Sequence, residues 1–134
     1  MKPIKIGIAG MGTVASGVVK VLERNQAEIT RRAGRGIEVA VVCERTPGRA
    51  AHLEERGVEV INDLSQLASH PDVDIVVELI GGYEPARSFV LEAIANGKHV
   101  VTANKALLAE HGNEIFQAAQ DKGVTVAFEA AVAG

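Results

Sequence analysis

Short runs of apolar residues alternate along the chain with longer segments in which apolar residues recur every three or four positions. Such runs, bounded by glycine, proline or polar residues, are typical of buried strands, and the periodic segments are typical of helices that bury one face. The pattern predicts strands at residues 4–9, 37–43, 58–61, 74–80, 98–102 and 124–128, and helices at residues 13–32, 49–56, 64–69, 85–96 and 105–122. Because strands and helices alternate, we predict an α/β fold with a doubly wound, mostly parallel sheet and right-handed crossovers.

Residues with strong positional preferences mark the ends of the predicted helices. Asp63 and Asn104 each precede a helix, where their side chains can accept hydrogen bonds from free backbone N–H groups. Gly97 and Gly123 each follow a helix, where glycine readily adopts the left-handed conformation that ends it. These signals predict two N-caps and two glycine-terminated helices.

The composition fits one compact domain built from aliphatic residues. The chain has 134 residues, of which 47% are hydrophobic and only 3% aromatic, so its core must consist mainly of Val, Ile, Leu and Ala. We therefore interpret residues 1–134 as a single domain. The net charge of −3 argues against nucleic acid or an anionic membrane as a partner. The chain has no apolar run of membrane-spanning length and no signal-peptide core at its amino terminus, so we expect a cytoplasmic protein.

Cysteine and histidine give no sign of a metal site. Cys43 is the single cysteine, which excludes a disulfide framework, and its position in a predicted strand favours a small buried side chain. His52, His70, His99 and His111 are scattered without the spacing of metal ligands, so we expect surface or capping roles for them.

A glycine-rich turn follows the first predicted strand. Gly10, Gly12 and Ala15 form the pattern Gly-x-Gly-x-x-Ala where this strand meets the first helix, which is the position of the dinucleotide fingerprint. We expect the backbone freedom of Gly10 to permit a tight turn and Gly12 to let the main chain approach a pyrophosphate at the helix amino terminus. The alternative is a glycine-rich turn that binds no nucleotide.

Five groups of residues stand at or directly after the carboxyl ends of predicted strands, where open α/β sheets bind their ligands. They are residues 10–14, the pair Glu44 and Arg45, residues 80–82, residues 102–105 and the segment from residue 129 onward. We predict that these groups surround one crevice. The predicted cofactor-binding residues are Gly10, Gly12, Thr13, Val14, Arg45, Ile80, Gly81 and Lys105.

Glu44 and Arg45 stand where the adenosine ribose of a dinucleotide is usually recognised. An acidic residue there accepts hydrogen bonds from the 2′-hydroxyl of NAD, whereas an arginine accommodates the 2′-phosphate of NADP. Both lie farther beyond Gly12 than the usual spacing of about 20 residues, and the long polar end of the first helix accounts for the excess. Arg45 followed by Thr46 slightly favours NADP over NAD; the alternative is two solvated side chains.

Lys105 falls in the first turn of the last predicted helix, directly after Asn104. A cation is unfavourable there because the helix amino terminus carries partial positive charge. We therefore interpret Lys105 as a side chain that pairs with a cofactor or substrate group; the alternative is a surface lysine that extends into water.

Two further residues near the predicted crevice allow two interpretations each. Glu78 lies within an apolar strand, where a lone carboxylate is costly, so we expect it either to hydrogen-bond neighbouring backbone or to face the crevice. Tyr83 follows Gly82, and its ring is expected either to stack near the cofactor or to cover the edge of the core.

Taken together, several of these segments resemble the homoserine dehydrogenase family. The resemblance lies in residues 10–14, residues 77–82, residues 97–109 with the run Thr-Ala-Asn-Lys, and residues 128–134 with the run Glu-Ala-x-Val-x-Gly. It covers essentially the whole chain, and the last two runs are far more specific than the glycine pattern. The resemblance implies a Rossmann-type NAD(P)-binding domain of an oxidoreductase that interconverts aspartate β-semialdehyde and homoserine, in threonine, methionine and isoleucine biosynthesis.

The resemblance also implies roles for individual residues. Lys105 matches the family's catalytic-site lysine at the junction of cofactor and substrate. Glu129, Val132 and Gly134 match a loop that binds a monovalent cation, sodium, through a carboxylate and backbone carbonyls, with a further ligand from beyond Gly134. The family's other catalytic residues and most of its dimer contacts belong to a C-terminal region that this chain lacks. We therefore expect the chain alone to bind cofactor without turnover, and the parent protein to be a homo-oligomer that acts on a small-molecule substrate.

Two alternatives stay open. A relative of glucose–fructose oxidoreductase would also place a lysine after a Gly-Lys-His-Val run, although those proteins usually carry Glu-Lys-Pro where this chain has Asn104-Lys105-Ala106. A stand-alone NAD(P)-sensing module without catalysis is the second alternative, and the short chain is compatible with it.

Overall fold

The structure is a computed structural model that describes residues 2–10, 17, 20, 27, 31, 34–44, 51–55 and 57–128. The strands with bounds in these ranges are β1 (Ile4–Gly10), β2 (Ile37–Cys43), β3 (Glu59–Ile61), β4 (Ile75–Leu79), β5 (His99–Thr102) and β6 (Val126–Phe128). The helices with bounds there are α1 (Ala51–Glu54), α2 (Leu64–Ala68), α3 (Ala86–Ala95) and α4 (Lys105–Lys122). Gly17, Lys20, Ala27 and Arg31 are helical too, and the rest of the helix predicted at residues 13–32 lies outside the described residues.

The six strands form one sheet in the order β3-β2-β1-β4-β5-β6, and every neighbouring pair is parallel. β1 lies in the centre, where Ile8 pairs with Val42 of β2 on one side and with Val77 of β4 on the other. The chain leaves the centre through β2 and β3, returns to it with β4 and continues outward to β6. This is the doubly wound arrangement that the alternation of strands and helices predicts, so the fold class is confirmed.

The central strands are apolar on both faces because each face packs against its own core. The larger core contains Ala9, Val41, Cys43 and Val76 of the strands together with Leu67, Phe89, Val90, Ile94, Leu107 and Ile115 of α2, α3 and α4. The smaller core contains Ile6, Ile8, Val42 and Val77 with Leu53 of α1. Burial on both faces is usual for parallel sheets. Cys43 is buried, as predicted.

The residues that mark helix ends act as the sequence predicts. The Oδ1 atom of Asp63 accepts a hydrogen bond from the Ser65 N–H at 2.8 Å, and the Oδ1 atom of Asn104 accepts one from the Leu107 N–H at 3.0 Å. Gly97 and Gly123 follow α3 and α4 in the left-handed conformation, with φ of 79° and 77°. Because Asn104 and Gly123 bracket the last helix, its bounds agree with the predicted residues 105–122.

Three predicted strands begin later in the structure because the preceding helix takes their first residues. The strand predicted at residues 98–102 begins at His99, since the Lys98 N–H is donated to the Ala93 carbonyl of α3 at 3.0 Å. The strand predicted at residues 58–61 begins at Glu59, since the Val58 N–H is donated to the Leu53 carbonyl of α1 at 3.0 Å. The strand predicted at residues 124–128 begins at Val126, since the Val124 N–H is donated to the Ala119 carbonyl of α4 at 3.0 Å.

Gly7 in β1 has no room for a side chain. A Cβ atom on Gly7 would lie 2.6 Å from Leu67 Cδ1 and 3.2 Å from both Cγ atoms of Val73, and both of these residues are buried. We expect Gly7→Ala to lower the free energy of unfolding by about 1–3 kcal/mol, the usual cost of overpacking, as measured by urea denaturation. Gly17→Ala is the matched control: Gly17 is helical and exposed with open space around its Cβ position, so this change should raise stability by up to about 1 kcal/mol. Wild-type stability of Gly7→Ala would contradict the close packing.

Candidate nucleotide-binding site

The carboxyl ends of the central strands lie side by side at one edge of the sheet. Gly10 at the end of β1 pairs with Leu79 at the end of β4, and Glu78 pairs with Thr102 at the end of β5. The chain changes its winding direction between β1 and β4, and the crevice at such a switch point is where doubly wound sheets bind dinucleotides. The structure therefore brings together the strand ends that carry Gly10, Ile80, Gly81 and Lys105.

The absence of a side chain at Gly10 is needed for the contact between β1 and β4. A Cβ atom there would lie 2.6 Å from Leu79 Cβ and 3.2 Å from the Leu79 carbonyl carbon. The φ of Gly10 lies outside the left-handed range. The requirement for glycine is thus steric, which differs from the conformational reason expected from the sequence.

Glu78 is completely buried, and its carboxylate is occupied by three donors. The Oε2 atom accepts hydrogen bonds from the N–H groups of Ile80 at 2.7 Å and Gly81 at 3.1 Å. The Oε1 atom accepts one from the Thr102 hydroxyl at 2.5 Å. Of the two interpretations of Glu78 from the sequence, hydrogen bonding to neighbouring backbone is correct. The Thr102 partner was not predicted, because nothing local in the sequence indicates which residue of β5 faces Glu78.

The hydrogen bonds continue from Thr102 to the start of α4. The Thr102 Oγ1 atom accepts a hydrogen bond from the Asn104 N–H at 3.0 Å, and the Asn104 Nδ2 atom donates to the Gly82 carbonyl at 2.6 Å. Asn104 therefore caps α4 and also binds the turn that follows β4. These contacts join the two segments that the sequence analysis assigns to the crevice, residues 80–82 and residues 102–105, into one hydrogen-bonded unit.

The turn after β4 is built from two glycines in the left-handed conformation, Gly81 and Gly82, with φ of 81° and 70°. A Cβ atom at either position would meet no atom of the described residues within 4 Å, so this part of the chain leaves the turn open. Tyr83 is half-exposed, and its ring lies edge-on to His111 of α4 with the ring centres 6.0 Å apart. Tyr83 thus packs against α4 beside the crevice.

Lys105 is the first residue of α4 and is exposed. Among the described residues, no hydrogen-bond or ion-pair partner of its ammonium group is found. Glu44, directly after β2, is buried at 5% exposure and donates its N–H to the Ile61 carbonyl of β3 at 2.8 Å. The interpretation of Glu44 as a solvated side chain is therefore wrong.

Seven predicted site residues lie outside the described residues: Gly12, Thr13, Val14, Arg45, Glu129, Val132 and Gly134. Within the described ranges, no group of three or more His, Cys, Asp or Glu side chains is placed to hold a metal ion. Nor do the described helices include one that is both long enough and apolar enough to cross a membrane.

A cleft of about 530 Å³ lies at the opposite edge of the sheet, where the strands begin, and Asp74, Lys98 and His99 are among its lining residues. The buried ammonium of Lys98 donates to the carbonyls of His70 at 2.5 Å and Val73 at 2.7 Å, and burial lowers the pKa of Lys98. Because this charge is already bound by backbone and lies at the wrong strand ends, we assign the cleft no part in cofactor binding.

The described part of the carboxyl edge fits a dinucleotide. It combines a central strand ending in glycine, an open glycine turn and an unpaired cation at a helix amino terminus. The one carboxylate on β4 is turned inward and bound by three donors, so it is not directed at the phosphates or the nicotinamide.

Comparisons with known proteins agree with this geometry. The family described as "Homoserine dehydrogenase, NAD binding domain" matches residues 10–129. The chain is 59% identical to a homoserine dehydrogenase of Pseudomonas aeruginosa over all 134 residues, and 49% identical to one of Neisseria gonorrhoeae over the same length. These alignments cover 30% and 31% of the two relatives.

A solved structure gives the same result. The crystal structure of a homoserine dehydrogenase from Thiobacillus denitrificans superposes with a TM-score of 0.90 at 56% sequence identity, covering 98% of this chain and 30% of that one. The chain thus spans about a third of the length of the proteins that it matches. The comparisons favour neither the glucose–fructose oxidoreductase alternative nor the sensing module. With the fingerprint strand at the centre of the sheet and the family match over residues 10–129, the chain belongs to the homoserine dehydrogenase family as its NAD-binding domain.

Proposed function

We propose that this chain is the coenzyme-binding domain of an enzyme that interconverts aspartate β-semialdehyde and homoserine by hydride transfer. The observation that carries the proposal is the meeting of β1, the Gly81 turn and Lys105 at one edge of the sheet, in a chain of this family. Residues 1–134 form the coenzyme domain, and the remaining two thirds of the relatives' length would supply the other catalytic residues and the contacts of a homo-oligomer. We retain the cytoplasm as the proposed location.

Within this proposal, the residues of the domain bind and orient. Gly10, Gly12, Thr13 and Val14 form the turn that contacts the pyrophosphate, and Ile80 and Gly81 line the nicotinamide half of the crevice. When bound, the reduced nicotinamide supplies the hydride for the aldehyde carbon. Lys105 holds substrate or cofactor at the junction of the two and stabilises the negative charge that develops on the substrate oxygen.

Titration of the 134-residue chain with NADH and NADPH in a calorimeter tests cofactor binding. We expect saturable binding of at least one of the two without turnover of homoserine. Activity is tested in a protein that joins this chain to the remaining length of its relatives, by following nicotinamide absorbance with aspartate β-semialdehyde. A joined protein that folds and binds NADPH but leaves this aldehyde unreduced would overturn the proposed reaction.

NADP is the favoured coenzyme in this proposal because Arg45 follows β2, where the adenosine ribose is recognised. We expect Arg45→Ala to weaken NADPH binding by about 1.5–3 kcal/mol, the scale of a hydrogen bond to a charged group, and to leave NADH binding unchanged. The measurement is the dissociation constant of each coenzyme for wild type and variant. Equal losses for both coenzymes, or no loss, would remove Arg45 from the 2′-phosphate site.

We also propose a partial sodium site at Glu129, Val132 and Gly134. A carboxylate and two backbone carbonyls are hard oxygen ligands suited to a weakly held monovalent cation, and the run Glu-Ala-x-Val-x-Gly supports the assignment. Because a further ligand would come from beyond Gly134, the joined protein and not the isolated chain is expected to show sodium-dependent activity.

A further inference from the structure

The carboxylate of Glu78 is the point at which two turns of the crevice meet. Through Oε2 it holds the N–H groups of Ile80 and Gly81, and through Oε1 it holds the hydroxyl of Thr102. The two segments also touch through Asn104 and the Gly82 carbonyl. One fully buried anion therefore fixes the position of the β4 turn relative to the strand end that leads to Lys105.

A structural role alone does not account for this arrangement. Burying a carboxylate is costly even when it is hydrogen-bonded, and the neighbouring strand positions Val76 and Val77 show that apolar residues fill both faces here. An apolar residue at position 78 would still pair in the sheet, but of the described side-chain hydrogen bonds between the two turns it would leave the one from Asn104 to the Gly82 carbonyl. The carboxylate therefore fixes the position of the two turns relative to each other at the crevice.

We propose that Glu78 is a positioning residue that sets the nicotinamide half of the coenzyme site. The inference rests on the proposed function. In doubly wound sheets the first half, here β1 to β3, takes the adenosine part, and the second half, beginning with β4, takes the other mononucleotide. Glu78 acts on the second half only, because its three donors all lie at the ends of β4 and β5.

The closing experiment compares each coenzyme with its fragment that lacks nicotinamide: NADPH with 2′-phospho-ADP-ribose, and NADH with ADP-ribose. Glu78→Gln keeps the size of the side chain but removes its charge and replaces one of its two acceptor oxygens with an NH2 donor, so either the Thr102 hydroxyl can no longer donate to it or the turn N–H groups face a donor. We expect the dissociation constants of the coenzymes to rise by about fivefold to tenfold. The reason is that a smaller fraction of the molecules would have the turn in its binding-competent conformation. The dissociation constants of the fragments should stay within about twofold of wild type.

A second pair of variants keeps the test independent of the folding of Glu78→Gln. Thr102→Val removes the hydroxyl and should reproduce the selective loss of coenzyme affinity, whereas Thr102→Ser keeps the hydroxyl and should restore it. Glu92→Gln is the matched control. The Glu92 carboxylate on α3 also accepts a hydrogen bond from a hydroxyl, that of Ser65, but it lies away from the crevice. This variant should leave the dissociation constants of both the coenzymes and the fragments unchanged.

The outcomes separate the inference from the proposed function. Selective loss of coenzyme affinity in Glu78→Gln and Thr102→Val, with rescue by Thr102→Ser, supports the positioning role. If the wild-type chain binds coenzymes and fragments but the folded variants weaken both equally or neither, the positioning role is overturned and the proposed function stands. A folded wild-type chain that binds neither class of ligand overturns both.

Discussion

Replacing Lys105 with alanine is expected to lower kcat for aspartate β-semialdehyde reduction by about 10²–10⁴-fold, the range for a lost acid–base or orienting group. The measurement is steady-state kinetics in a protein that joins this domain to the remaining length of its relatives. Lys105 opens α4, where the helix dipole makes a cation unfavourable, and its ammonium has no partner among the described residues. The stability of the fold should therefore change little.

Lys122→Ala is the matched control for this prediction. Lys122 is also exposed on α4, but it lies in the last turn, where a cation is favourable. Its loss should cost about 0.3–1 kcal/mol of stability and leave kcat unchanged. We thus expect Lys105→Ala to lower kcat with little change in stability, and Lys122→Ala to lower stability with no change in kcat. Near-normal turnover in Lys105→Ala, with circular dichroism unchanged, would make Lys105 a solvated surface residue.

Gly12→Val is expected to weaken NADH and NADPH binding by at least about a hundredfold. A bulky side chain at this position would keep the pyrophosphate away from the main chain, and two lost hydrogen bonds from N–H groups to a charged phosphate correspond to roughly 3–6 kcal/mol. The sheet should remain folded, because Gly12 stands two positions beyond Gly10, the last residue of β1. Calorimetric titration of the folded variant gives the affinity.

Gly17→Ala serves as the control for Gly12→Val, since it also changes a glycine after β1 but at an exposed helical position with open space. It should leave both affinities unchanged. Undiminished affinity in Gly12→Val would mean that the fingerprint is a turn without a role in binding.

The sequence predicts the fold well because each element carries its own local signals. The capping residues Asn104 and Gly123 define α4 without any knowledge of its neighbours. The strands are predicted less well at their first residues, since Val58 and Val124 could donate either to the sheet or to the preceding helix, and only the tertiary structure decides between them. The alternation of strands and helices predicts a doubly wound parallel sheet with right-handed crossovers, whereas the strand order β3-β2-β1-β4-β5-β6 is known only from the structure.

The candidate site could be predicted by position but not by its contacts. The strand-end rule correctly brings Gly10, Gly81 and Lys105 to one edge. It cannot reveal that Glu78 binds Thr102, because these residues are 24 positions apart and their contact depends on the register of β4 against β5. The contact between Arg87 of α3 and Glu114 of α4 could not be predicted either. Their two hydrogen bonds of 2.6 and 2.7 Å depend on how the two helices pack against each other.

The central position of β1 also determines when the domain can fold during its synthesis. β1 leaves the ribosome before the other strands of this sheet, yet one of its two partners, β4, begins only at Ile75. At 5–20 residues per second, the roughly 65 residues between them take about 3–13 s to translate. Throughout that interval the β4-facing edge of β1 has no native partner, and such an unpaired apolar edge is the kind of surface that chaperones shield from aggregation.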